Sequence, residues 1–165
     1  MLKDLSFYVG KKLLDNFAQS FTDNVLKEKV IPKIGSVVYC ELVFDITGHS
    51  GIYVGDDEVV HLDGSGEIQK VGTKEFLSRL DGLNSAISLY VSCRDNEPVG
   101  NKKIAQRAND MVGKNLDYNL LINNCHKFTT GCVTGDFENK NILLEDLKRT
   151  ATQVLDVDNW LVWEI

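Results

Sequence analysis

Cys125 directly follows Asn124, and an asparagine can cap a helix whose first turn would then carry the cysteine. Unpaired backbone N–H groups and the helix dipole favour a thiolate in that turn. The placement suits a nucleophile, although a cysteine taken at random is more often a small buried hydrophobe. Cys40, Cys93 and Cys132 keep that plainer reading. The chain has three histidines, and two of them, His49 and His61, flank a Gly55-Asp56-Asp57 turn. A three-residue loop would set His61 opposite Gly51, on the same face as His49, whereas a two-residue loop would separate the pair. On a shared face, one imidazole can take the thiol proton while the other holds the first in its tautomer and orientation. Spacing alone leaves their order open. His126 adjoins Cys125, but neighbours on a helix point about 100° apart, so it is a poor base and is expected at the surface or behind the reacting groups. Tyr118 can donate its hydroxyl to a developing oxyanion beside a helix N-terminal N–H. It can equally be a tyrosine packed at the mouth of the core.

These residues need elements to hold them. Leu2, Leu5, Val9, Leu13, Phe17, Phe21 and Val25 recur at steps of three and four, the pattern of a long amphipathic helix that ends before Pro32. Residues 36–43 are rich in β-branched and aromatic side chains and read as a strand. Residues 49–54 and 58–62 follow as an antiparallel hairpin. A short strand is expected over 68–71, then a helix over 74–80 capped by Thr73, and a further strand over 85–91. Helices are expected over 104–112, ended by Gly113, and over 141–155. Strands clustered in the middle with helices at both ends of the chain argue for an α+β domain.

At 165 residues the chain is long enough for one core, and 43% hydrophobic with 25% charged residues is the balance of a self-folding globular domain. A net charge of −6 without a local run of Lys and Arg excludes nucleic acid as the main partner. No stretch approaches the roughly 18 apolar residues of a membrane span, and the first thirty positions carry charges instead of a signal-peptide core. A cytoplasmic location follows as the expectation, with thiols instead of disulfides at the four cysteines.

The segment Gly48-His49-Ser50-Gly51-Ile52-Tyr53-Val54-Gly55-Asp56-Asp57-Glu58-Val59-Val60-His61-Leu62, followed by Tyr118-Asn119-Leu120-Leu121 and Asn124-Cys125, resembles the lecithin retinol acyltransferase-like proteins, with their H-box and later Asn-Cys motif. Gly35 also matches the glycine that tends to precede the first strand of these domains. The resemblance covers residues 33–133 and implies a circularly permuted papain-like fold of the NlpC type, with a central antiparallel sheet. Residues 1–32 would then be an N-terminal helical extension and 134–165 a C-terminal helical segment of a single domain. The resemblance also implies roles: Cys125 as nucleophile, His49 as base, His61 as third member, and Tyr118 as an oxyanion or substrate contact. The usual Asn-Cys-Glu-His-Phe stands here as Asn124-Cys125-His126-Lys127-Phe128, a departure that bears on substrate more than on chemistry.

The expected reaction passes an acyl group through a Cys125 thioester to water, an amine or an alcohol, with no metal or organic cofactor. Lipid acyl esters would suit the acyltransferase branch, and peptide or isopeptide amides the wider hydrolase branch. The N-terminal helix could rest on a membrane surface or pack on the sheet, so membrane contact is expected to be at most peripheral. Two rivals are a non-catalytic H-box/NC interaction protein, as among viral proteins the chain also resembles, and a zinc site of His49, His61, Cys125 and a fourth ligand. The oligomeric state is not legible.

Overall fold

The computed structural model describes residues 28–40, 48–78, 88–116 and 124–165. The expected N-terminal helix, Tyr118, and parts of the strands expected over 36–43 and 85–91 lie outside the described residues. The strands are β1 (Lys29–Val30), β2 (Val37–Cys40), β3 (His49–Gly55), β4 (Glu58–Leu62), β5 (Ile68–Gly72), β6 (Leu89–Arg94), β7 (Glu97–Pro98) and β8 (Asn159–Trp163). The helices are α1 (Thr73–Ser78), α2 (Lys102–Met111), α3 (Cys125–Thr134) and α4 (Leu144–Leu155).

One sheet runs in the order β1-β8-β6-β2-β3-β4-β5, with β7 paired to β6. Every pairing is antiparallel except β1 with β8. The fold is therefore α+β around a central, essentially antiparallel sheet. Strand alternation sorts the core into two faces. Val37, Ile52, Val60, Leu62 and Ile68 meet Ile104 and Ala108 of α2, Phe128, Cys132 and Val133 of α3, and Leu147 of α4. The other face carries Val38, Cys40, Tyr53, Val59, Val71, Leu89, Val91 and Trp163, covered by Phe76 of α1.

Three local expectations change. Thr73 is the first residue of α1 and does not cap it; its backbone N–H and hydroxyl both donate to the carbonyl of Asp57, at 2.9 and 2.8 Å, tying α1 to the hairpin turn. The helix expected from 141 begins at Leu144, because asparagine side chains hold the preceding backbone in turns: Asn139 Nδ2 donates to the carbonyls of Lys127 and Asp136, and Asn139 Oδ1 accepts from the Asn141 N–H. The segment 134–165, expected to be helical, holds α4 and then a strand. Residues 159–163 enter the sheet between β1 and β6, where Leu161, Val162 and Trp163 are buried.

Leu147 is fully buried where α4 meets the helical side of the core. Leu147→Ala removes that contact and leaves a cavity, so urea unfolding should show a loss of about 2–5 kcal/mol.

Candidate active site

Asp56 and Asp57 both take positive φ, 52° and 56°, which makes the β3–β4 connection a two-residue turn whose twist suits a hairpin. Such a turn alone would place His61 on the face away from His49. The register, however, shifts by one between Tyr53 and Gly55: Gly55 pairs with Glu58, while Tyr53 pairs with Val59 and Ile52 with Val60. That bulge returns His61 to the position opposite Gly51 and onto the face of His49. The expected outcome is reached by a two-residue turn plus a bulge, not by a three-residue loop. Gly51 is what the close approach permits, since a Cβ there would lie 2.6 Å from Val59 Cγ1 and 3.3 Å from His61 Cβ.

His49 Nε2 and His61 Nδ1 are 2.9 Å apart, with the rings nearly perpendicular at 85°. His61 is buried and His49 half-buried. Phe76 packs against both imidazoles, its centroid 5.0 Å from that of His49 and 5.2 Å from that of His61. The phenyl ring braces the pair on the apolar face of the sheet; no sequence signal marked Phe76 for this role.

Cys125 is the first residue of α3 and is buried. Asn124 caps that helix: its Oδ1 accepts from the N–H groups of His126 and Lys127 at 3.0 and 3.1 Å. Its Nδ2 donates to the carbonyl of Ile142 at 2.7 Å. The expected cap is thus in place, and it also anchors the segment leading into α4. Two contacts carry the cysteine-bearing turn to the start of β3. Ser50, next to His49, bonds through its hydroxyl to His126 Nδ1 at 2.8 Å and to Thr129 Oγ1 at 3.1 Å. Leu144, two residues after the Asn124 partner Ile142, lies 3.6 Å from the point where a Cβ would stand on Gly48. His126, expected at the surface or behind the reacting groups, has no exposure at all; it fills the interface between α3 and β3.

Residues 31–138 match the lecithin retinol acyltransferase family. The chain belongs to that family. Human phospholipase A and acyltransferase 2 is 33% identical over 111 residues, covering 59% of this chain and 67% of the relative. Mouse phospholipase A and acyltransferase 3 is 32% identical over 111 residues with the same coverage. The genome polyprotein of Avian encephalomyelitis virus (strain L2Z) is 31% identical over 108 residues, covering 65% of this chain but only 5% of the polyprotein. The chain thus spans about two thirds of the two phospholipase A and acyltransferase proteins and a twentieth of the viral polyprotein.

Two other thiols of this lecithin retinol acyltransferase family member, Cys93 and Cys132, have environments that disfavour the thiolate. Burial pushes the Cys93 thiol up to about 11, against a smaller lowering effect of the backbone hydrogen bond with Leu161. Burial likewise raises Cys132, partly opposed by the Arg107 guanidinium. Among the described residues, no three His, Cys, Asp or Glu side chains converge as metal ligands, and no helix is long and apolar enough to cross a membrane.

Two measurements follow from this geometry. Asn124→Ala removes the acceptor for two N–H groups and should lower stability in urea titration by about 1–2 kcal/mol, whereas Asn124→Asp keeps the cap acceptor and should lose less. Alkylation of Cys93 in the folded protein, read by peptide mass spectrometry, should be negligible near neutral pH and rise as the pH approaches 11, because only the thiolate reacts.

Proposed function

We propose that the chain is a cysteine-dependent acyl-transfer enzyme acting on lipid acyl esters, with residues 33–133 as its catalytic core. The observation that carries this reading is the 2.9 Å bond between His49 Nε2 and His61 Nδ1. A histidine whose Nε2 proton is donated to a partner has its Nδ1 lone pair as the basic site, and a buried neighbour that accepts the proton holds that tautomer. His61 is that neighbour, and His49 is the base.

In the proposed reaction His49 Nδ1 takes the proton of the Cys125 thiol, and the sulfur attacks the ester carbonyl. The tetrahedral intermediate collapses to a Cys125 thioester as the protonated His49 returns its proton to the departing alkoxide oxygen. Water or an acceptor amine or alcohol then attacks the thioester, losing its proton to His49, and the thiolate leaves and is reprotonated. Asn124 takes the His126 and Lys127 N–H groups, and the N–H of Cys125 stands at the same helix end. That group and the Tyr118 hydroxyl are the proposed oxyanion donors. Lipid is the favoured acyl donor because two of the relatives carry phospholipase A and acyltransferase in their names. The membrane contact proposed for this chain is peripheral, at a cytoplasmic surface.

Incubation with phosphatidylcholine vesicles should release fatty acid and lysophospholipid, or transfer the acyl chain to an added amine. Cys125→Ser should lower the rate by about a thousandfold or more, and His49→Ala by roughly 10²–10⁴-fold. Intact-mass analysis should trap an acyl adduct that maps to Cys125. A Cys125→Ser protein with the wild-type rate would overturn the reading.

A further inference from the structure

Behind Cys125 the first turn of α3 meets β3 through a hydrogen-bonded set that is completely buried: Ser50, His126 and Thr129 have at most negligible exposure. Its proton positions can be worked out from the donors available. Thr129 Oγ1 lies 2.8 Å from the carbonyl oxygen of Cys125. A carbonyl cannot donate, so the Thr129 hydroxyl spends its one proton there. Thr129 Oγ1 is also 3.1 Å from Ser50 Oγ, and in that bond it must accept, so Ser50 spends its own proton on Thr129. Ser50 Oγ lies 2.8 Å from His126 Nδ1 and has only lone pairs left for it. The proton between them therefore belongs to His126 Nδ1. This holds for the neutral ring and for the imidazolium alike.

The same Nδ1 is 3.9 Å from Cys125 Sγ. A nitrogen that already carries a proton cannot take one from the thiol. Its one proton is given to Ser50 Oγ at 2.8 Å, so it holds the cysteine-bearing turn against β3 and exchanges no proton with the sulfur. From this chain of donors we infer that His126 is a fixed hydrogen-bond donor to Ser50, held as the Nδ1–H form by the Ser50–Thr129 relay, and that it is a positioning residue, holding the turn that carries Cys125 without acting as a base. The inference deepens the nucleophile assignment above and rests on it for its catalytic meaning. It gives Ser50 and Thr129 a role as well: they orient the proton of His126 and are not reacting groups.

The tautomer is directly measurable in the unmodified protein. Nitrogen-15 shifts of the imidazoles, assigned with His126→Asn, should show a protonated Nδ1 at His126; an Nε2–H ring with bare Nδ1 would overturn the proposal. Reactivity tests the consequence. Asparagine can present an amide N–H near the position of Nδ1, whereas phenylalanine keeps the ring and loses the donor. Alkylation of Cys125 near neutral pH, followed on its peptide by mass spectrometry, should slow about tenfold in His126→Phe and return close to the wild-type rate in His126→Asn. Wild-type reactivity in His126→Phe, or equal slowing in both variants, would reduce His126 to packing and sink the donor role. These readouts do not use turnover. Full esterase activity in Cys125→Ser would remove the nucleophile assignment while leaving the tautomer result to be judged by itself.

Discussion

A slip of one residue in the pairing of β3 with β4 would turn every side chain of one strand to the opposite face of the sheet. Val59 would leave the face it shares with Tyr53 and Phe76, Val60 would leave the helices, and His61 would part from His49. The core on both faces and the imidazole pair therefore depend on the same register. Two features acting in opposite directions set it: the tight Asp56-Asp57 turn moves the pairing by one residue, and the bulge between Tyr53 and Gly55 moves it back. Apolar burial on both faces selects this combination, because each of the buried valines and isoleucines would lose about 1.5–3 kcal/mol in solvent.

The second constraint is polar. The N-terminus of a helix carries donors that must be satisfied when it is buried, and α3 meets this with the Asn124 side chain, while the Ser50, His126 and Thr129 side chains bond one another across the α3–β3 contact. A fully paired buried set of this kind tolerates little displacement, since an unsatisfied member costs on the order of 1–3 kcal/mol. Directional bonds thus dock the cysteine-bearing turn beside the start of β3, while the greasier turns of α3 add area through Phe128, Cys132 and Val133.

Family membership and reaction are separate conclusions. Related sequence occurs both in proteins named for phospholipase A and acyltransferase activity and in a viral polyprotein of which the matching region is a small part. A shared fold can carry different work, so the chemistry has to be argued from the site itself. In this chain two imidazoles stand 2.9 Å apart, and a cysteine lies at a capped helix end beside the strand that bears one of them.

The residues alone determined the α+β class, the hairpin and the cap at Asn124, and singled out His49 and His61 as candidates, because these follow from side-chain periodicity, turn chemistry and helix capping over a few neighbouring positions. They left two loop lengths open for the hairpin, with opposite consequences for the histidines. The strand at 159–163 was missed because its partners, β6 and β1, come from distant parts of the chain, and pairing across such separations leaves little local trace. Whether His126 lies at the surface or behind the reacting groups was left open for a related reason: its position follows from Ser50, 76 residues away in sequence, and from the packing of α3 on β3. Tertiary structure decided these points, because register, bulge and hydrogen-bond direction are properties of pairs of segments, which no single segment encodes.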